Sequence, residues 1–328
     1  MKKCAAAVMR AVFCFCRLFP VQQNKLALFS NFPIWGSLGT LGEYLERRGE
    51  WKTVRLTPRS PLLLWHLATA RVVLLNNNFS PLDHLPFAPG TKRIQLWHAD
   101  GALKKWGRSV GARGSLCDYA ICASEQARPY WAEAFGLPAE NVLPLGSPRL
   151  DQLRRRGRTS AARFALYAPT FRDDPARNAA LLSHFDFDAF ARAFPDLQLL
   201  VSLHPKLHGQ YTLPAGVTDA TGLTDAYLPA CDCLITDYSS VCVDAAALDI
   251  PVFLYLFDEA DYVGRERGFY MPLRQLAPGP VSTTFEGLLA HMAQPDQSRE
   301  RRRAFAAFHA GAADGRACER IADFLRQI

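Results

Sequence analysis

The chain has 328 residues, of which 49% are hydrophobic and 21% charged, and its formal net charge at pH 7 is +7. This length excludes a single small core and favours two globular domains. The basic excess favours acidic partners such as phosphates, a nucleotide or an anionic membrane surface. The Arg clusters at 154–158 and 299–303 contain no aromatic residues, so no nucleic-acid partner is predicted.

The first 20 residues combine a basic start with an apolar body. Arg10 and Arg17 interrupt the apolar run, and no small-residue cleavage site follows, so neither a spanning helix nor a signal peptide is predicted. Read as a helix, Lys3, Arg10 and Arg17 recur along one face. A second face carries apolar residues: Val8, Val12, Phe15 and Phe19. This pattern is typical of a helix on an anionic membrane surface, and equally of a helix packed on its own domain.

Strands and helices alternate through the first half of the chain. Strands are predicted at Lys25–Phe29, Thr53–Leu56, Arg71–Asn76, Arg93–Trp97 and Tyr119–Ala123, and helices at Leu38–Arg48, Pro61–Ala70 and Ser124–Phe135. This alternation predicts a parallel sheet with helices on both faces.

Residues 145–158, rich in Gly, Pro and Arg, form the best linker candidate. The alternation then restarts with strands at Phe164–Ala168, Leu197–Leu203, Cys233–Thr236 and Val252–Tyr255. The sequence therefore predicts an N-terminal helix over 1–20 and two doubly wound α/β domains, 21–150 and 151–328, that face each other. Ligands are expected at the carboxyl ends of the strands.

Polar side chains follow four of the apolar strands. They are His98; Arg172; His204 with Lys206; and the run Thr236, Asp237, Ser239 and Ser240. In the last case, a strand leads through small hydroxyl residues into an Ala-rich helix, and such helix starts offer unpaired N–H groups to an anion. The alternative is that Asp237 or Ser239 merely caps this helix.

Cationic side chains near these positions are consistent with a phosphate ligand. Arg172 offers a bidentate fork, and Lys104, Lys105 and Lys206 are point charges. A metal site is not predicted, because Pro205 disfavours a helix between His204 and His208 and no third ligand has a recognised spacing. The nine scattered Cys residues favour a reduced, cytoplasmic protein.

The motifs of residues 93–325 resemble those of the CDP-glycerol glycerophosphotransferase family, which includes teichoic-acid primases and polymerases and related capsule enzymes. The matching segments are LWHADGALKKWG (96–107), LGSPRLD (145–151), YAPTFRDD (167–174), SLHPKLH (202–208), LITDYSSVCVDAAALDIPVFLYLFDEADYVGRERGFY (234–270) and FHAGAADGRACERIADFL (308–325). Residues 1–90 match only in general pattern.

The resemblance implies two Rossmann-like domains of the GT-B type around a central cleft, with an acceptor-side N-terminal domain and a donor-binding C-terminal domain. It also implies transfer of a polyol phosphate from a CDP-linked donor to a hydroxyl of a lipid-linked or polymeric acceptor, with release of CMP. Glycerol phosphate is the first expectation for the transferred group. No cofactor is predicted, and whether a divalent metal assists stays open. The enzyme would work on the inner face of the cell membrane.

The resemblance also assigns roles to individual residues. It implies that His98 is the catalytic base and that His204 acts on the donor pyrophosphate. Donor phosphates would contact Ser239, Ser240, Arg172 and Thr236, and the donor pocket would include Asp237, Lys206, Asp314 and Arg316. Lys104 and Asp100 would lie on the acceptor side.

The segment that follows His98 departs from the common pattern of the family. Many members read Trp-His-Gly-Thr-Pro-Leu-Lys-Lys, whereas residues 97–105 are one residue longer and contain Asp100. Acceptor identity is therefore open, as is oligomeric state. Two other functions also remain open: a GT-B glycosyltransferase that uses a nucleotide sugar, and a non-catalytic protein that binds nucleotide or polymer.

Overall fold

The computed structural model describes residues 2–114, 116–158, 162–172, 174–179, 181–265 and 268–328. Three residues of the quoted motifs, Asp173, Glu266 and Arg267, lie outside this set. The chain forms two compact units. Unit 1 comprises Met1–Asp100, Trp106–Gln152 and Ala312–Ile328, and unit 2 comprises Gly101–Lys105 and Leu153–Gly311.

Unit 1 is built on a parallel sheet of six strands in the order β2-β1-β3-β4-β5-β6. The strands are β1 (Gln22–Phe29), β2 (Lys52–Leu56), β3 (Ala70–Leu75), β4 (Lys92–Gln95), β5 (Tyr119–Ile121) and β6 (Val142–Leu143). Its helices are α1 (Lys2–Cys16), α2 (Gly36–Arg48), α3 (Leu63–Ala68), α4 (Arg128–Phe135), the first part of α5 (Pro148–Arg156) and, from the end of the chain, α13 (Ala317–Gln327). The second half of β1, Leu26–Phe29, and most of β3 are apolar and buried, as expected for central parallel strands that helices cover on both faces.

Unit 2 repeats this architecture with six parallel strands in the order β12-β11-β10-β7-β8-β9. The strands are β7 (Phe164–Ala168), β8 (Gln198–Val201), β9 (Thr218–Asp219), β10 (Cys233–Thr236), β11 (Val252–Tyr255) and β12 (Val281–Ser282). Its helices are α6 (Pro175–Ala179), α7 (Phe187–Ala193), α8 (Thr224–Tyr227), α9 (Val241–Ala247), α10 (Glu259–Arg265), α11 (Phe285–Met292) and α12 (Arg299–Ala310). The prediction of two Rossmann-like α/β domains is confirmed.

The predicted domain bounds need correction at the end of the chain. Residues 312–328 belong to unit 1, because the apolar face of α13 packs into the core of that unit beside Leu26, Leu38 and Val72. The Asp151 carboxylate holds the start of α13, since it accepts hydrogen bonds from the backbone N–H of Gly315 at 3.0 Å and of Ala317 at 2.6 Å. The division after Gln152 lies two residues from the predicted one.

The predicted linker over 145–158 also needs correction, because most of it is helix α5. Pro148 stands at the first helical position, where its missing N–H costs nothing. Asp151 lies in the first turn and three Arg residues lie in the last turn, so the charges at both ends interact favourably with the helix dipole.

Helix α1 packs on unit 1 through one side and exposes apolar residues on another. Phe13 and Cys16 are buried in a core cluster with residues of α3 and β3. The exposed apolar set comprises Val8, Val12, Phe15, Leu18 and Phe19, between 45% and 77% exposed. Arg10 and Arg17 are exposed, and the Lys3 side chain lies outside the described set. Across the described residues, no helix combines the length and the apolarity that crossing a bilayer requires.

Candidate active site

His98 lies just beyond β4 in unit 1. The preceding residue, Trp97, has a φ of 59°, which is uncommon for a residue other than glycine, and the two rings pack with centroids 4.3 Å apart. The Nδ1 atom of His98 lies 3.4 Å from the backbone carbonyl oxygen of Asn76, at the end of β3. With the proton on Nδ1, directed at that carbonyl, Nε2 is the basic nitrogen. This arrangement suits a general base.

Within unit 1, His98 lines a shallow, open pocket together with Asn76, Asp100 and Arg149. Asp100 lies in it, accepts a hydrogen bond from the Ser147 hydroxyl at 2.9 Å and pairs with Arg149 at 4.0 Å. Asn76 also lines the pocket; it is 5% exposed, and its Oδ1 atom has no hydrogen-bond partner. The structure therefore places His98 and Asp100 in one pocket. The Oδ1 atom of Asn76 lies in the same pocket and would accept a hydrogen bond from a hydroxyl group bound there.

His204 follows β8 in unit 2, at the start of a short 3₁₀ turn. Its Nδ1 atom accepts a hydrogen bond from the backbone N–H of Lys206 at 3.2 Å, and its ring packs on Phe171 with centroids 5.3 Å apart. Burial of the imidazole, followed by the charges of Lys206 and Lys104, lowers the pKa of His204 below its usual value. The side chain is therefore neutral near pH 7, with the proton on Nε2.

Arg172 is 1% exposed, and its guanidinium is occupied by the protein itself. It donates to both carboxylate oxygens of Asp258 at 2.9 and 3.0 Å, to Asp237 at 2.9 Å and to the backbone carbonyl of Thr170. Burial disfavours the guanidinium charge, but Asp237 and Asp258 outweigh this cost and raise the pKa of Arg172. Protein acceptors therefore take four of the five guanidinium N–H donors of Arg172, and the fork to phosphate predicted from the sequence stays a prediction.

Thr236 and Asp237 are likewise engaged inside unit 2. The Thr236 hydroxyl is buried and donates to the carbonyl of Ala168 on the neighbouring strand at 2.6 Å. Asp237 is 1% exposed and accepts from the backbone N–H groups of Thr170 at 2.8 Å and of Tyr238 at 2.6 Å. Both residues therefore shape the turn after β10 through contacts within unit 2, and their donor roles stay predictions.

Ser239 and Ser240 complete this turn and are half-buried. Ser240 is the residue before α9, and its side chain makes no capping hydrogen bond. Ser239 Oγ lies 3.4 Å from the N–H of Val241, a long contact for a cap. Of the four residues predicted after β10, Ser239 and Ser240 are the two that remain partly exposed.

Lys104 lies in unit 2, with the residues predicted for the donor. Its Nζ atom is 3.4 Å from the hydroxyl of Tyr262, whose ring stacks on Tyr238 at a centroid distance of 3.8 Å. The Tyr238 hydroxyl donates in turn to Asp258 at 3.1 Å. The predicted acceptor-side pair is thus divided, with Asp100 in unit 1 and Lys104 in unit 2.

The chain was compared with known proteins. The sequence profile of the CDP-glycerol:poly(glycerophosphate) glycerophosphotransferase family matches residues 41–327. A teichoic acid ribitol-phosphate primase of Bacillus spizizenii is 34% identical over 301 residues, covering 80% of this chain and 76% of the relative. The chain belongs to this family. Its resemblance to the family, stated from the motifs alone, is confirmed, and so is the prediction of a glycerophosphotransferase-like enzyme.

Other members of the glycerophosphotransferase family are longer. The teichoic acid ribitol-phosphate polymerase TarK of Staphylococcus aureus is 31% identical over 282 residues, covering 75% of this chain but 54% of the relative. The chain therefore spans about half the length of that polymerase. A structure of the wall teichoic acid polymerase TagF shares the fold, with a TM-score of 0.80 at 21% identity over 99% of this chain and 95% of that chain.

Asp314 and Arg316, the predicted donor-pocket residues of the C-terminal motif, lie in unit 1 and are engaged locally. Asp314 accepts from Arg320 at 2.8 Å and from the N–H of Arg316 at 3.0 Å, and Arg316 pairs with Glu319 at 2.9 Å. These contacts hold the turn into α13. The structure does not place them in the unit that contains His204, Ser239 and Ser240.

Sequence reasoning missed three residues of the glycerophosphotransferase that complete the cluster around Arg172. They are Asp258, Tyr238 and Tyr262, which lie within or beside the motif over 234–270. An acidic residue shortly after an apolar strand was the available signal for Asp258. Among the described residues, no group of three or more His, Cys, Asp or Glu side chains is arranged to hold a metal ion.

Proposed function

We propose that this protein transfers a polyol phosphate from a CDP-linked polyol to a hydroxyl of a membrane-linked or polymeric acceptor, releasing CMP, in the synthesis of a cell-surface polymer. The observation that carries the proposal is the family match over residues 41–327, which includes both His98 and His204. The names of the two ribitol-phosphate relatives support a polyol phosphate as the transferred group. They also make ribitol, before glycerol, the first polyol to test.

In the proposed mechanism, His98 Nε2 removes the proton of the acceptor hydroxyl while the oxygen attacks the phosphorus on the polyol side of the donor. A new P–O bond to the acceptor forms, the P–O bond to CMP breaks, and CMP leaves with the bonding electron pair. The proton remains on His98 until solvent removes it. A histidine side chain fits this step because the ordinary pKa of an imidazole lies near neutral pH.

The donor phosphates are proposed to bind in unit 2. The half-buried hydroxyls of Ser239 and Ser240 and the neutral His204 donate hydrogen bonds, and Lys206 adds positive charge. In phosphoryl transfer, positioning and charge stabilisation account for most of the rate enhancement. Arg172 acts indirectly in this scheme, because it holds Asp237 and Asp258 beneath the turn that carries the serines.

We further propose that α1 holds the protein on the inner, anionic face of the cell membrane. The helix is fixed to unit 1 by Phe13 and Cys16, so its exposed apolar residues form a preset surface. Arg10 and Arg17 flank them and would attract anionic headgroups. A lipid-linked acceptor would then be reached from the same surface.

A thermal-shift panel tests the donor assignment, with CDP-ribitol, CDP-glycerol, CMP, UDP-glucose and UDP-N-acetylglucosamine as ligands. A ligand present at a hundred times its dissociation constant stabilises the native state by about 2.7 kcal/mol. Stabilisation by a CDP-polyol, followed by CMP release on addition of bacterial membranes, is the expected result. Stabilisation by a UDP-sugar alone would overturn the proposal in favour of a nucleotide-sugar glycosyltransferase.

A further inference from the structure

His309 is a buried histidine of unit 2 to which neither the sequence nor the proposed mechanism gives a role. It lies near the end of α12, is 1% exposed, and packs against Phe305 and Phe308 with ring centroids 4.4 and 4.9 Å away. Burial lowers its pKa to about 3, so the imidazole is neutral at any working pH. Its Nδ1 atom accepts a hydrogen bond from the backbone N–H of Ala102 at 3.1 Å.

The contact between His309 and the segment 101–105 is close as well as polar. Gly101 has a φ of 75°, and a Cβ atom built there would lie 2.9 Å from the Cβ of His309. Real Cβ atoms essentially never approach so closely, so Gly101 lets the backbone lie directly against the imidazole. A hydrogen bond and a close packing contact therefore fix the start of the segment.

The end of the segment is fixed by a short antiparallel bridge to residues 268–270. The N–H of Lys105 donates to the carbonyl of Gly268 at 2.7 Å, and the N–H of Tyr270 donates to the carbonyl of Leu103 at 3.2 Å. Lys104, between these two bonds, is thus held from both sides, and its ammonium reaches the Tyr262 hydroxyl at 3.4 Å.

The Lys104 charge acts on two of the segments to which the proposed function assigns donor phosphates. It contributes to the lowered pKa of His204, and it opposes the rise that burial causes in the pKa of Cys242, in the first turn of α9 beside Ser240. The geometry agrees, because Lys104 Nζ lies 3.4 Å from the hydroxyl of Tyr262, whose ring stacks on Tyr238, the residue before Ser239. A cation at this position is placed to meet a diphosphate held by His204 and the turn after β10.

We propose that Lys104 binds the diphosphate of the donor and that His309 is the positioning residue that fixes the Lys104 backbone through Ala102. This inference rests on the proposed function and deepens it. It also reassigns Lys104 from the acceptor to the donor, because its anchors all lie in unit 2.

The chain offers a matched pair of substitutions at residue 309. Asn places an acceptor oxygen close to the position of imidazole Nδ1, whereas Leu has a similar size and no acceptor. Isothermal titration calorimetry gives the Kd of CDP-ribitol and CDP-glycerol without any acceptor present. We expect His309→Leu to raise the Kd about tenfold, because the orphaned N–H of Ala102 loosens the segment, and His309→Asn to stay within about threefold of the wild-type Kd.

A double-mutant cycle with Lys104→Met separates positioning from a general structural role. If His309 acts through Lys104, His309→Leu in the Lys104→Met background raises the Kd by less than about twofold further. Additive effects, or a wild-type Kd in His309→Leu, would overturn the inference. Gly101→Ala perturbs the same contact from the other side and should also raise the Kd. It provides a second test of the contact if His309→Leu folds poorly. If the wild-type chain binds neither CDP-polyol, the proposed function itself fails, and this inference with it.

Discussion

Arg172 offers a quantitative test of whether a buried ion cluster, and not a direct phosphate contact, supports donor binding. Its guanidinium makes four side-chain hydrogen bonds, to Asp258, Asp237 and the carbonyl of Thr170. Lysine keeps the charge but places its three donors on one atom, so it cannot serve both carboxylates and the carbonyl at once. We therefore expect Arg172→Lys to lose at least two of the four bonds.

The size of the loss follows from the burial of the cluster. Hydrogen bonds to charged groups contribute about 1.5 to 3 kcal/mol each, so loss of two at the lower value removes about 3 kcal/mol from the free energy of unfolding. Arg177→Lys is the matched control. Arg177 contacts the same Asp258 carboxylate through Nη2 at 3.1 Å, and a lysine ammonium can keep one such bond, so its replacement should cost about 1 kcal/mol or less.

Urea unfolding followed by circular dichroism measures both variants without ligand. A donor titration then shows whether weaker binding accompanies the loss of stability. If Arg172→Lys is as stable as the wild type and yet binds a CDP-polyol tenfold more weakly, the guanidinium contacts phosphate directly. That result would refute the cluster argument and support the role predicted from the sequence.

Three further predictions concern other parts of the molecule. His98→Ala should lower CMP release at saturating donor by 10²-fold or more while leaving the donor Kd unchanged, and near-wild-type turnover would exclude His98 as the base. Phe15→Glu should weaken sedimentation with phosphatidylserine-containing vesicles, since Phe15 is 64% exposed; equal sedimentation of the variant would exclude this face as the anchor. Burial, together with the charge of Lys52, lowers the pKa of Lys25 to about 8, so the native state binds fewer protons than the unfolded state between pH 8 and 10.5. Stability of the wild type relative to Lys25→Met should therefore rise with pH across this window by about 3 kcal/mol. Urea unfolding at a series of pH values measures this difference, and a flat difference would contradict the burial argument.

The sequence predicted the strands well because both sheets are parallel and buried. Phe164–Ala168, Cys233–Thr236 and Val252–Tyr255 were predicted at their observed bounds, since each is a short apolar run between turn residues. The sequence singled out His98 and His204 for the same reason, and the structure places each of them shortly after a strand. The local sequence pattern was sufficient to predict structure where neighbouring residues in the chain determine it.

Local pattern was insufficient where a partner lies far along the chain. Arg172 is 65 residues from Asp237 and 86 from Asp258, and nothing in its own surroundings shows that these carboxylates occupy its guanidinium. The same limit explains the last 17 residues. The sequence placed them in the second domain, and only the structure shows that their helix covers the sheet of unit 1.

The segment 97–105, which is one residue longer than the common family pattern, is divided between the two units. Its first part, to Asp100, belongs to unit 1, where His98 lies beside the carbonyl of Asn76. Its second part belongs to unit 2, where the bridge to residues 268–270 and the bond from Ala102 to His309 hold Lys104. The anchors of His98 and Lys104 are therefore independent of each other, and the longer form changes the connection between them. Asp100 lies at that connection and is held by Ser147, so this form can alter the pocket around His98 while the proposed general base and the proposed donor cation keep their own anchors.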